Sequence, residues 1–307
     1  SIPSGDRASD FSVQTSFTHE VNLVNTGGAS VNFWDGGTAS NHNNGTVDGG
    51  DGIWNTANNN WTTANGAANS NWQNGQFAIF AGQPGTVTVD DSAGAVSVSG
   101  MQFATDGYLV NGDAITLADA KSIIRVGAGG GALTSGITAT IASALTGAGG
   151  LEKTDNGTLV LSGTNSYTGG TFIEGGALSV ASDSNLGATS GGLTLDGGTL
   201  DNTSGFSSAR GVTLGAGGGT FKTDADLALT SAISGSGGLF KSGAGTLTLD
   251  ADNTYSGATT VAAGTLSVSG SVSGPVSVQA GGTLTGTGSV GTTDIASGGT
   301  IAPGHTP

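Results

Sequence analysis

Three histidines, His19, His42 and His305, are the first candidates for acid–base chemistry, and they lie far apart in the chain. None stands beside an acid and a nucleophile, so each reads as a solvated loop residue. A trypsin-like nucleophile would announce itself as Gly-Asp-Ser-Gly. The nearest string, Asp90-Asp91-Ser92-Ala93-Gly94, lacks the first glycine and reads as a strand end and turn. No Gly-x-Ser-x-Gly elbow occurs. Asp48-Gly49-Gly50-Asp51-Gly52 could offer oxygens to calcium. Without the repeating nonapeptide of calcium-binding β-rolls it reads better as a solvated acidic turn. Gly286-Thr287-Gly288-Ser289-Val290-Gly291 fits the dinucleotide fingerprint by letters but opens no helix. Cleaving an acidic polysaccharide needs a cationic base or clamp. The arginines are Arg7, Arg125 and Arg210, and Arg210, following Asp201 and Asn202, reads as a solvated coil corner. No catalytic, cofactor or metal residue is assigned, the chain is read as non-enzymatic, and ligand-binding residues are left open.

Seven Lys and Arg face 22 Asp and Glu, a formal charge of −15. The bases are scattered, so nucleic acid and anionic membrane surfaces are poor partners. The absence of cysteine excludes a disulfide framework and thiolate chemistry. It suits a chain that crosses oxidising space unfolded, and equally follows by chance from a Gly/Ser/Thr/Ala-rich composition. No apolar run is long enough for a membrane-spanning helix.

The elements that must carry any binding group are set by repeats. From Gly149 the chain reads GGLEKTDNGTLVLSGTNSYTGGTFIEGGALSV, and from Gly237 it reads GGLFKSGAGTLTLDADNTYSGATTVAAGTLSV; 16 of these 32 positions are identical. A shorter Gly-Thr-Leu-like unit recurs at Leu159, Leu178, Leu200, Phe221, Leu247, Leu266, Leu284 and Ile301, in steps of 19, 22, 21, 26, 19, 18 and 17. A period near 20 predicts a solenoid. Alternation in Thr158-Leu159-Val160-Leu161 and Thr246-Leu247-Thr248-Leu249 makes its unit a short strand with leucine on one face. The best helical candidate, residues 118–126, contains Ile123, Ile124 and Val126, whose β-branching favours a strand. The fold class is therefore all-β, a right-handed parallel β-helix with leucine, valine and isoleucine inward and Thr, Ser and Asn outward.

All four tryptophans, Trp34, Trp54, Trp61 and Trp72, fall in residues 33–80, together with many asparagines. This stretch reads as atypical first coils or a cap over an open core end, with an aromatic sugar-binding surface as the rival. Residues 1–32 are unassigned, and residues 81–307 form the β-helix.

The two long repeats, at about 149–180 and 237–268, resemble the passenger-associated transport repeat of monomeric (type V) autotransporters. Gly52-Ile53-Trp54-Asn55, Phe77-Ala78-Ile79-Phe80 and Val96-Ser97-Val98 resemble the start of such passengers. Gly282-Thr283-Leu284 and Gly298-Gly299-Thr300-Ile301-Ala302-Pro303-Gly304 resemble their closing repeats. The resemblance implies an excised passenger fragment, exported through a downstream outer-membrane β-barrel to the bacterial cell surface or secreted. It implies an adhesin whose partners are host surface or extracellular-matrix molecules, or the same protein on neighbouring cells. The alternatives are a stem that displays an upstream domain and, third, a polysaccharide-acting enzyme. Residues 34–52 and 204–210 are the candidate contact loops. Asn165, Asn253, Tyr167 and Tyr255 are expected to be structural, the amides satisfying backbone groups in equivalent turns.

Overall fold

A computed structural model describes residues 11–14, 22–26, 28–128 and 136–304. His19, His305 and Arg7 lie outside the described residues. Among the described residues every regular element is a strand, apart from two 3-10 turns. The chain divides into two compact units, residues 1–169 and 170–307.

In the first unit, one parallel sheet runs Gly52–Trp54, Thr86–Val89, Tyr108–Gly112, Thr138–Ile141 and Thr158–Leu161. A second runs Val31–Trp34, Gln76–Phe80, Val96–Phe103, Lys121–Val126 and Gly150–Thr154. Each strand pairs with one a coil later in sequence, as a β-solenoid requires. Lys121–Val126 is a strand with burial alternating along it, as its β-branched residues predict. The antiparallel strands Trp61–Thr62 and Asn69–Ser70 extend the second sheet beyond Val31–Trp34. A separate antiparallel pair joins Phe11–Gln14 to Asn22–Asn25.

In the second unit, seven strands pair in parallel from Ala177–Val180 to Thr293–Ile295. Six more run from Phe206–Ser208 to Thr300–Pro303. A third face stacks Thr171–Ile173, Leu193–Leu195, Val212–Leu214 and Ile233–Gly235. The register turns the leucine period into core rows. Leu178, Leu200 and Phe221 form one row. Leu227, Leu247, Leu266 and Leu284 form another on a different sheet, continued in register by Ile301, which is 49% exposed. The irregular step of 26 from Phe221 to Leu247 is therefore a change of face; the true partner before Leu247 is Leu227.

Candidate binding surfaces

The register also exposes outward rows. On one face of the second unit these are Thr199, Thr220, Phe240, Thr260, Ser277 and Asp294. Another outward row is Ser207, Ala228, Thr248, Ser267 and Thr285. Strand spacing sets these hydroxyls at about 4.8 Å intervals. Phe240 interrupts its threonine row and is 40% exposed, and a cleft of about 240 Å³ lies beside it, lined by Gly217, Gly218, Thr220, Leu239 and Thr260.

The repeat residues point the other way. Asn165 Oδ1 accepts from the Leu145 amide at 2.8 Å, and Asn253 Oδ1 accepts from the Ile233 amide at 2.9 Å. Asn253 Nδ2 also donates to the Ala251 and Ser271 carbonyls. These amides satisfy backbone groups in equivalent turns, as the repeats predict. Tyr167 and Tyr255 are buried, and Tyr255 shares a hydrogen bond at 2.5 Å with Thr259.

Sequence reasoning missed the two repeat lysines, which are core residues. Lys153 continues the inward row Ala78, Met101, Ile124. Lys241 stands between Phe221 and Val261. Lys241 Nζ donates to the Ser242, Gly243 and Ala263 carbonyls at 2.9, 3.0 and 2.9 Å. Burial pushes its pKa down to about 8 against the pull of Asp224 and Asp226. Lys153 Nζ donates to the Thr154 and Asp155 carbonyls, both at 2.9 Å. Burial lowers its pKa to about 7, opposed by the charge of Asp155. Glycine is required at 264, where φ is +63° and a Cβ would sit 2.8 Å from Lys241 Nζ. The signal was present in the alternation, because Leu151 and Lys153, like Leu239 and Lys241, are two residues apart and share a face.

Arg210 corrects the expectation of a solvated corner. It is 2% exposed, its Nε donates to Asp183 Oδ1 at 2.8 Å, and its Nη2 donates to Asp183 Oδ2 at 3.2 Å. The guanidinium also donates to the carbonyls of Asp183, Gly187, Ala188 and Gly191. A planar group with five N–H donors suits such a cage of carbonyls. Within residues 204–210, Phe206–Ser208 is a paired strand and Arg210 is turned inward to hold the segment from Asp183 to Gly191, while Ser204, Gly205, Ser207 and Ala209 stay exposed.

The rival sugar-binding role of the tryptophans is also corrected. All four are buried. Their rings pack on one another, Trp54 with Trp61 at 5.0 Å and Trp61 with Trp72 at 4.5 Å between centroids, and Phe80 closes the cluster. Such packing stabilises a core and leaves no ring face for a ligand.

The loop of residues 34–52 is held from within. The buried Asp35 accepts from the Asp48 amide and from Asn69 Nδ2, both at 2.8 Å. Asp48 Oδ2 accepts from Asn44 Nδ2 at 2.7 Å, and Asp51 Oδ1 accepts from the Thr86 amide at 2.7 Å. Among the described residues no three His, Asp or Glu side chains converge as a metal site would require. Residues 90–94 form the expected turn, with Asp90 Oδ1 accepting from the Ser92 amide at 3.0 Å. Hydrogen bonds from Ser92 and Asn55 hold the Asp90 carboxyl below its ordinary pKa. Gly282–Gly286 and Ser289–Val290 are solenoid strands, so the dinucleotide-like letters begin no helix.

Comparison with known proteins places this architecture. A family model described as the passenger-associated-transport-repeat matches residues 151–180 and 239–268. The adhesin BmaC autotransporter of Brucella suis biovar 1 (strain 1330) is 49% identical over 288 residues, 90% of this chain and 8% of that protein. An extracellular serine protease of Serratia marcescens is 51% identical over 73 residues, 24% of this chain and 7% of that protein. The chain thus spans less than a tenth of the length of the curated relatives it matches. No solved structure matches. With two transport repeats built into parallel coils and this similarity along nearly its whole length, the chain is passenger-domain material of an autotransporter.

Proposed function

We propose that this passenger segment is adhesive, attaching the cell to host or extracellular-matrix molecules or to a neighbouring cell. As passenger material it is displayed at the cell surface or secreted. The observation that carries the reading is the 49% identity to an autotransporter adhesin across 90% of the chain. The coils support it physically. Rows of outward Thr and Ser on rigid strands offer many weak hydrogen bonds at fixed spacing, and repetition converts these into avidity. We read the segment as non-enzymatic, because the protease similarity covers only 24% of the chain, against 90% for the adhesin. The full protein is expected to carry an outer-membrane barrel that exports this segment.

The test is attachment. Purified chain should coat host-cell monolayers or immobilised matrix proteins saturably and should block attachment of bacteria bearing the full-length protein. A chain that neither coats nor competes, and whose presence does not aggregate bacteria, overturns the proposal. Loss of adhesion on its deletion, explained entirely by reduced export, would favour a stem.

A further inference from the structure

Beside the loop of residues 34–52 the first unit carries a groove of about 540 Å³, within the range of about 300–1,000 Å³ found for small-ligand clefts. Its walls include Thr38, His42, Asp51, Asn58 and Asn59, and Ile53 is part of the lining. Among the described residues the contrast with the surrounding asparagines is sharp. Asn43 and Asn69 bond reciprocally through side chain and backbone. Asn55 Oδ1 accepts from the Ala57 and Asn58 amides, fixing the turn that presents Asn58 and Asn59. Asn60 Nδ2 donates to the Ile53 carbonyl at 2.8 Å, and both amide atoms of Asn74 are engaged. The exposed side chains of Asn58 and Asn59 have no internal partner among the described residues. Neither has the hydroxyl of Thr38, which stands at the N-cap of a 3-10 turn without capping it. Asp51 uses one carboxylate oxygen on the Thr86 amide, and His42 uses Nε2 on the Gly36 carbonyl at 3.1 Å. Each therefore has a second polar atom to offer. Ile53 is 45% exposed.

We infer that this groove is a binding site for a neutral saccharide. Planar amides and a carboxylate each present two polar atoms that can span vicinal hydroxyls, and amides both donate and accept, as a polyol does. The exposed Ile53 gives the apolar C–H face of a pyranose ring a surface to cover. No Lys or Arg lines the groove, and Asp51 repels anions, so an acidic sugar is disfavoured. The biological setting rests on the adhesive reading above, whereas the site itself rests only on the groove.

The test uses the isotope-labelled full chain titrated with galactose, mannose and N-acetylglucosamine, and with N-acetylneuraminic acid as the anionic control. At least one neutral sugar should saturably shift the side-chain amide resonances of Asn58 and Asn59 and the backbone amide of Ile53, at the millimolar concentrations typical of small hydrogen-bonded ligands. Asn58→Ala/Asn59→Ala should weaken that sugar at least tenfold with an unchanged thermal midpoint, since these side chains support no fold contact. Ile53→Glu should do the same. The inference is overturned if no neutral sugar shifts these resonances, if the double variant binds as well as the wild type, or if N-acetylneuraminic acid binds as tightly as the neutral sugars. Sugar binding by a chain that neither coats cells or matrix, nor competes, nor aggregates bacteria would sink the adhesive reading and leave the site standing. Attachment without sugar binding would do the reverse.

Discussion

Lys241 places an ammonium group in a row of hydrocarbon, between Phe221 and Val261, and three backbone carbonyls are what make this tolerable. Replacing it with methionine keeps the volume and removes that donor from the Gly243 and Ala263 carbonyls, leaving Ser242 only the longer bond from Thr223 Oγ1 at 3.4 Å. We expect Lys241→Met to destabilise the second unit by about 2–4 kcal/mol near neutral pH, read from denaturant unfolding. The lysine also makes stability depend on pH. Unfolded, it keeps its ordinary pKa of 10.5, and folded it has one of about 8. Between these values the unfolded chain holds the extra proton, so the desolvation cost is relieved and stability rises with pH. Lys153 contributes the same rise from about pH 7. Above pH 10 the sign reverses, because burial holds the phenols of Tyr108 and Tyr255 above their ordinary 10.0 and the unfolded phenols ionise first. Unfolding midpoints measured from pH 6 to 11 should therefore climb and then fall, and Lys241→Met should flatten the climb. An equally steep climb in the variant would show that Lys241 is not its source.

Strands and loops show where a local pattern suffices and where it does not. Two-residue alternation in Thr246–Leu249 and its repeats predicts strands with leucine inward, and each is found so. The same alternation carries Lys241 into the core, but a lone charged letter invites a surface reading because the compensating carbonyls are backbone and leave no mark in the sequence. Arg210 is illegible for a related reason: its partner carboxylate, Asp183, is 27 residues away and its other partners are main-chain oxygens. The tryptophans were legible as a group but not as to direction, since only packing reveals that Trp54, Trp61 and Trp72 face one another. Arg210→Ala should release the segment from Asp183 to Gly191, exposing it to proteolysis and hydrogen exchange, at a cost of about 2–3 kcal/mol for a partly buried carboxylate left without its partner and for orphaned carbonyls. Arg210→Lys should recover little, because one ammonium cannot reach all the oxygens that the guanidinium fork spans. Unchanged cleavage of this segment in Arg210→Ala would mean that the loop is held by its own turns.

A solenoid's stability is close to a sum of coil terms and nearest-neighbour interfaces, so damage in one coil is felt first by its neighbours. This chain supplies separate reporters for that behaviour. Its tryptophans all lie between residues 34 and 72, in the first unit, whereas strands of both units contribute to circular dichroism. Leu266 lies in the middle of the row Leu227, Leu247, Leu266, Leu284 and is fully buried. Leu266→Ala should cost about 2–5 kcal/mol locally, because stacked neighbours on both sides prevent collapse into the cavity. If coils report mainly to their neighbours, this variant lowers the midpoint of strand loss and leaves the tryptophan emission transition close to the wild-type value. If the chain unfolds in a single step, both transitions move together. The same cavity placed among the tryptophans, as Phe80→Ala, should shift emission in either case. Comparing the two variants therefore separates cooperativity along the chain from a simple loss of packing.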